Sequence, residues 1–284
     1  MRVMKILVTG AKGFTGQHLF EAGRKQGHQM VAMKSDLSSR QQLQEEIDLC
    51  RPDAIIHLAA KSFVNDNDPA GFHRVNVAGT NNLLEAIKQC SVRPVCTLIA
   101  SSANIYGDQN VSPIGETAAV NPLNEYAKSK VDMEKSVSAY ENDVSVIITR
   151  PFNYTGCGQD LKFLIPKIIH HFRNKSESIE LGNLDIEREF NDVRFVCQSY
   201  FGLLETGRIG SVYNICTGKP YSISSIIGRL QTMTGHQIDI IVNPEFVRRN
   251  DIQTLYGDPE LLFSTVPNLK PIDIDETLEW MLNP

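Results

Sequence analysis

Val3-Met4-Lys5-Ile6-Leu7-Val8-Thr9-Gly10-Ala11-Lys12-Gly13-Phe14-Thr15-Gly16 is the stretch from which the fold is read. Val3 to Thr9 is mostly apolar, as suits a strand buried on both faces. A helix-like run through His18-Leu19-Phe20-Glu21 follows the glycines. Strand, glycine turn and helix together are the context in which a glycine motif has meaning. Gly10 permits the tight turn, Gly13 lets the backbone approach a pyrophosphate, and Gly16 lets the helix pack on the strand. The phosphates would rest on the N–H groups of the helix start, which brings in Phe14 and Thr15. The spacing is GxxGxxG rather than GxGxxG.

Moving outward, His28 to Met33 reads as the second strand. Its end should meet the adenosine ribose, where NAD favours an acidic residue and a 2′-phosphate a basic one. The chain offers Lys34-Ser35-Asp36. Lys34 at the strand end makes NADP the expected cofactor, with NAD the alternative. The plain reading of Lys34 is a solvated turn lysine. Asp36 and Leu37 are expected beside the adenine.

Ser38 or Ser39 should cap a helix through Cys50, with Leu43, Ile47 and Leu49 on its apolar side. Ala54 to Leu58 is a buried strand, and Leu58, Ala59 and Ala60 at its end let the cofactor approach the backbone. His57 reads as a satisfied core histidine. Phe72 to Gln89 reads as one long helix. Its Asn76 either bridges neighbouring strand ends and serves the cofactor site or is a plain exposed residue. Val95 to Ala100 is the next strand, with Ser101-Ser102 at its end. After the loop Ala103 to Asn124 comes a helix to about Tyr140, then the strand Val144 to Thr149, closed by Arg150-Pro151.

Strands and helices thus alternate about five times, which predicts an α/β fold with a doubly wound parallel sheet. Ligands of such sheets sit beyond the C-terminal strand ends. Gly10, Ala59, Ser102 and Pro151 all stand at such ends. After Pro151 the pattern breaks up, with helices at Phe163–Phe172, to about Leu204 and at Tyr221–Thr234, and a last one near Ile274 to Met281. The expected organisation is a dinucleotide-binding domain over 1–154, with 191–217 returning to it. A smaller substrate-binding lobe takes 155–190 and 218–284.

The 284 residues carry a net charge of -5, which attracts neither nucleic acid nor an anionic membrane across a whole face. The charge of an anionic ligand must then be met locally, by helix starts and single arginines. The six cysteines are scattered, without CxxC pairs, and read as reduced, small apolar residues. No His cluster has metal spacing, and no metal is expected. No run approaches 18 apolar residues, and no signal-type segment precedes the first strand. The expected location is cytoplasmic, without a membrane span.

Chemistry concentrates in Tyr126-Ala127-Lys128-Ser129-Lys130. Tyr126 and Lys130 are four apart and share a helical face. A phenol, ordinarily near pKa ~10, becomes a proton donor or acceptor near neutrality only when shifted down. An ammonium one turn away would do that. Alone, such a pair is more often structural; beside the glycine turn and Ser102 it reads as catalytic. Ser102 would bond the substrate oxygen that Tyr126 protonates, and Lys130 would hold the nicotinamide ribose. Arg188 and Arg248 are candidates for a substrate diphosphate, since a guanidinium fork suits phosphate oxygens. The plain alternative is surface ion pairing with Glu187 or Asp251. Lys167 is a further substrate candidate.

The GxxGxxG turn, HLAA at 57–60, SSxxxYG at 101–107 and YxxxK at 126–130 resemble the extended short-chain dehydrogenase/reductase family over essentially the whole chain. Arg150 to Gln159 resembles the RPFNHxGPGQ segment of that family's GDP-mannose 4,6-dehydratases and GDP-4-keto-6-deoxymannose reductases. Arg188 to Arg194 resembles their RDFxDVR, and Arg248 to Gly257 their RPxEVxxLxG. The resemblance implies that Asn153 contacts the diphosphate region and that Arg188 and Arg248 bind its phosphates. It implies a homodimer that packs two helices per subunit, the Tyr126 helix among them.

Departures from the pattern narrow it. The dehydratases carry a Glu where this chain has Asn104, and an amide cannot serve as the carboxylate base. Cys157 and Arg249 replace prolines, and Phe195 an aspartate. The expected activity is reduction of the C4 keto group of a nucleotide-linked 4-keto-6-deoxyhexose, GDP-linked by preference, with Asn104 among the substrate contacts. A nucleotide-sugar 4-epimerase is the alternative, and a non-catalytic NAD(P)-binding sensor the alternative of another class.

Overall fold

In a computed structural model of the chain, residues 2–63, 68–109, 112–246 and 253–284 are described. Six parallel strands form the central sheet, in the order Val212–Ile215, Val146–Pro151, Cys96–Ala100, Ala54–His57, Lys5–Thr9, Gln29–Ala32. From Lys5–Thr9 the chain first adds Gln29–Ala32 on one side, then crosses to Ala54–His57 on the other. That reversal opens a crevice at the C-terminal strand ends, beside Gly10.

Alternation along the strands explains their all-apolar sequence. Ile6, Val8, Ile56, Leu98 and Ile147 face one helical layer, containing Leu19, Val196, Phe201 and Leu262. Leu7, Ile55, Ile99 and Val146 face the other, containing Leu43, Ile47, Leu83, Ile87 and Met133. With a side-chain period of two and helices on both faces, neither register can be polar.

A separate apolar cluster forms over the crevice. Ile165, Ile168 and Phe172 pack there with Ile179, Leu181, Ile226, Leu230 and Leu278. The helix Glu260–Thr265 behaves differently: Leu262, with Val266 and Leu269 after it, joins the sheet-side cluster.

Three local expectations need correction. Leu49 is 87% exposed, because six residues from Leu43 is about 240° around a helix. Ser39 holds the N-cap of Arg40–Cys50 but makes no side-chain cap bond. The long helix from Pro69 to Gln89 is interrupted by a π-helical segment, His73–Ala78, which carries Asn76. Elsewhere, Asn124 accepts from the Ala127 N–H over 2.8 Å and starts the Tyr126 helix, Glu125–Ser138. Ser222 caps Ile223–Thr234, its Oγ accepting from the Ser225 N–H. Among the described residues no helix is long and apolar enough to cross a membrane.

Candidate active site

The crevice is a cleft of about 1130 Å³ running from the glycine turn under the second apolar cluster. Gly10, Gly13, Phe14, Thr15, Gly16, Leu58 and Ala60 line it at one end. Ser102, Asn104, Tyr126, Lys130, Pro151 and Asn153 line its middle, and Lys167 and Arg188 the lobe end. Residues scattered from 10 to 188 thus meet in one space.

The glycine turn fits a dinucleotide. Gly10 has φ +68°, and a Cβ there would lie 2.7 Å from the Ala59 nitrogen. Ala59 therefore serves by close backbone packing, with its N–H on Thr9 Oγ1 at 3.1 Å, rather than as a cleft wall. A Cβ on Gly16 would overlap the Gly10 carbonyl oxygen and lie 2.7 Å from Ala11 backbone. Gly13 is the N-cap of Phe14–Lys25 and brings no side chain to it. Its first-turn amides are left for an anion.

Lys34, Asp36 and Leu37 lie past the next strand, outside the cleft wall. Lys34 is exposed. The Glu46 carboxylate accepts the Lys34 N–H at 2.9 Å and the Ser35 N–H at 2.7 Å, which pins this turn. Asp36 accepts from the Ser38 N–H, and Leu37 packs against Gly79.

Asn76 is not at the cleft. It is buried, and its Nδ2 donates to the Lys61 carbonyl and to Ser129 Oγ, at 3.0 and 2.9 Å. Its Oδ1 accepts the Lys61 N–H at 2.9 Å. Both donors are consumed in tying a strand-end loop to the Tyr126 helix. His57 is likewise internal, held between Thr9 Oγ1 at 2.7 Å and Thr80 Oγ1 at 2.9 Å, and burial brings its pKa down to about 3.

Tyr126 is 7% exposed. Burial pushes its phenol up to about 12, against the hydrogen bond from Ser102, which lowers it. This reverses the expectation of a phenol lowered by its lysine. The Lys130 ammonium donates to the Ala100 carbonyl oxygen at 2.7 Å, and its own burial brings it down to about 8. Desolvation outweighs the Ser102 hydrogen bond at Tyr126 and the Glu134 charge at Lys130. The phenol is held as the neutral acid.

Two buried contacts hold the helix that carries this pair. One is the Asn76 clamp. The other is Arg150, which pairs with Glu134 at 2.7 Å and donates to Tyr106 Oη at 2.9 Å. In the sequence Arg150 closes a strand and opens the RPFN segment, and neither feature implies this ion pair.

At the lobe end, Arg188 Nη1 donates to the Glu187 carbonyl at 2.8 Å, and Lys167 Nζ to the Glu180 carbonyl at 2.7 Å. Neither Glu187 pairing nor solvent exposure defines Arg188, which is buried on the cleft wall. Arg248 lies outside the described residues. Tyr154 was missed: its hydroxyl bonds Thr15 Oγ1 at 2.8 Å and its ring stacks on Phe14. Phe63 and Phe163 were missed too; their rings meet edge to face at the cleft, with the Lys162 ammonium over both. No local pattern distinguishes these from core aromatics.

A family profile described as the NAD dependent epimerase/dehydratase family matches residues 6–216. The chain is 38% identical over 270 residues to a GDP-6-deoxy-D-talose 4-dehydrogenase from Aggregatibacter actinomycetemcomitans, covering 93% of this chain and 92% of the relative. It is 31% identical over 298 residues to a GDP-6-deoxy-D-mannose reductase from Pseudomonas aeruginosa, covering 98% and 96%. The structure of RMD from Pseudomonas aeruginosa complexed with NADPH superposes with a TM-score of 0.89 at 30% identity, covering 99% and 96% of the two chains. The matched profile runs through the glycine turn, Ser102, the Tyr126 helix and Asn153, and the chain belongs to the NAD dependent epimerase/dehydratase family.

Proposed function

We propose that the protein is a nicotinamide-dependent nucleotide-sugar 4-ketoreductase acting on a GDP-linked 4-keto-6-deoxyhexose. The observation that carries this reading is the neutral, buried Tyr126 phenol at a Ser102 hydroxyl, in a cleft that begins at the glycine turn. A ketone needs a proton at its oxygen as C4 is reduced, and a phenol held in its acid form has one to give. Relatives named as a GDP-6-deoxy-D-talose 4-dehydrogenase and a GDP-6-deoxy-D-mannose reductase support the same chemistry.

Gly10, Gly13, Phe14, Thr15 and Gly16 would hold the cofactor pyrophosphate, Leu58 and Ala60 its ribose side, and Lys130 its nicotinamide ribose. When bound, the reduced nicotinamide supplies the hydride that C4 receives. Tyr126 gives its proton to the C4 oxygen, and Ser102 donates a hydrogen bond to that oxygen. Lys130 offers three donors, one of which goes to Ala100, and its charge makes the phenolate left after transfer less unfavourable. Asn153 and Arg188 take the diphosphate, with Arg248 as the second cation and Lys167 further into the lobe. NADP is the preferred cofactor, from Lys34 at the end of the second strand.

Dehydration is disfavoured. The reacting end presents Asn104, and among the described lining residues the carboxylates, Glu180 and Glu245, belong to the lobe end. The division of labour is a dinucleotide-binding domain, 1–154 with 191–217, and a substrate lobe, 155–190 with 218–284. Within the last segment, 260–269 packs with the first domain. The active unit is a homodimer formed through the Tyr126 helix and its neighbour. Light scattering that gave a monomer mass of 31.7 kDa would contradict that part.

The test is a panel of GDP-, dTDP- and UDP-linked 4-keto-6-deoxy sugars with NADPH and NADH. Stoichiometric oxidation of the reduced cofactor by the GDP-linked ketone is expected. Equilibration of two sugars without net cofactor turnover would instead make the protein an epimerase.

A further inference from the structure

The Ser102 hydroxyl faces two donors from one residue. The backbone N–H of Asn104 and its side-chain Nδ2 each lie 3.2 Å from Ser102 Oγ. A hydroxyl has two lone pairs to accept with and one proton to give. Two N–H groups occupy both lone pairs, so the proton can only be donated outward. Tyr126 lines the same cleft as Ser102, so the proton is available to the phenol oxygen before substrate binds and to a keto oxygen once substrate is there; a bond donated to the phenol favours its ionised form.

The Asn104 amide has a fixed base. Ser102 starts the short turn Ala103–Tyr106, and the Tyr106 hydroxyl inside it donates to Asn214 Oδ1 at 2.7 Å. Arg150 covers the same ring. The turn is therefore packed beneath Asn104 rather than mobile.

We infer that Asn104 is a positioning residue that sets the hydrogen-bond polarity of Ser102, making it a donor only. This deepens the ketoreductase reading and rests on it. A keto oxygen carries lone pairs and no proton, so it needs donors. With Ser102 unable to accept, the Tyr126 proton has no competing partner in the serine and goes to the substrate. A reversed amide would put Oδ1 against Ser102 and draw its proton away from both phenol and ketone.

Two variants separate these arrangements. Asn104→Leu keeps the size and removes the amide donor; Asn104→Asp offers only acceptors. Carbon-13 NMR of the cofactor-free protein, labelled at tyrosine Cζ, reads the hydrogen bond at Tyr126, with Tyr126→Phe assigning the resonance and Ser102→Ala giving the shift for loss of the bond. Both variants are expected to move the resonance in the Ser102→Ala direction. Turnover should fall about tenfold in Asn104→Leu, the worth of one such bond, and further in Asn104→Asp, with the sugar KM within about twofold. An unmoved resonance in Asn104→Asp would overturn the inference. So would a raised KM at unchanged kcat, which would make Asn104 a plain substrate contact. If the wild-type protein reduced no keto sugar while the resonance still moved, the ketoreductase reading would fall and the polarity of Ser102 would stand.

Discussion

Lys130 is bonded through its ammonium to the Ala100 carbonyl oxygen, at the end of the strand that also delivers Ser102. The lysine is thereby tied to the sheet rather than to the phenol one turn before it. Burial then dominates both titrations, raising Tyr126 to about 12 and lowering Lys130 to about 8.

Replacing Tyr126 by Phe should lower turnover at least about 10²-fold, the typical share of a general acid. Cofactor affinity should stay within about twofold, since the ring is kept. Single-turnover kinetics and a fluorescence titration with NADPH measure the two quantities. Turnover within tenfold of wild type would remove Tyr126 from the role of acid.

Lys130 should make activity depend on pH. Its folded-state pKa, about 8, lies below the ordinary lysine value of 10.5, so the ammonium is lost as pH rises through 8. Binding that uses the charge should weaken with a one-proton dependence there. The kcat/KM for the reduced cofactor, measured from pH 6 to 10, is expected to fall on the alkaline side (about tenfold per unit at most).

The same residue should be a stability liability. Because its pKa is depressed on folding, the folded state binds fewer protons between about pH 8 and 10.5, and stability rises with pH across that window. Below pH 8 the charged form is buried at a net cost on the order of 3 kcal/mol. Lys130→Met should therefore raise the melting temperature at pH 7 by a few degrees while abolishing turnover. A lowered melting temperature would show that the ammonium is a net stabiliser.

Gly16→Ala should fail where most surface glycines tolerate alanine. The new Cβ would meet backbone at Gly10 and Ala11, and backbone cannot swing aside as a side chain can. A loss of about 2 kcal/mol is expected, with weaker dinucleotide binding. Thermal melts with and without NADPH check both; an unchanged cofactor-induced shift would argue against the turn as the pyrophosphate seat.

At Lys34, substitution by Glu should raise the KM for NADPH more than about fivefold and leave that for NADH within about twofold. The Glu46 bonds to the Lys34 and Ser35 amides do not use the replaced side chain, so the turn should persist. Equal effects on both cofactors would remove Lys34 from the 2′-phosphate.

Much of the site was legible in the chain because its parts are short local motifs. A glycine that packs against a neighbouring strand leaves its mark at one position, and so does a helix pair four residues apart. Tyr154, Phe63 and Phe163 left none, since an aromatic on a cleft wall and one in a core have the same local sequence. Asn76 was ambiguous for the same reason: an asparagine in a helix does not announce which backbone it will bond. Leu49 is apolar by type, but its place about 240° around the helix from Leu43 puts it on the solvent side.

By itself, the sequence determined the parallel doubly wound sheet, since alternating apolar runs and amphipathic segments have few other ways to bury their surfaces. It also placed Gly10, Ala59, Ser102 and Pro151 at strand ends or just after them, and Tyr126 with Lys130 on one helical face. Only the tertiary structure decided the protonation of Tyr126 and Lys130. Desolvation depends on every residue packed around a group, and those come from strands and helices far apart in the chain.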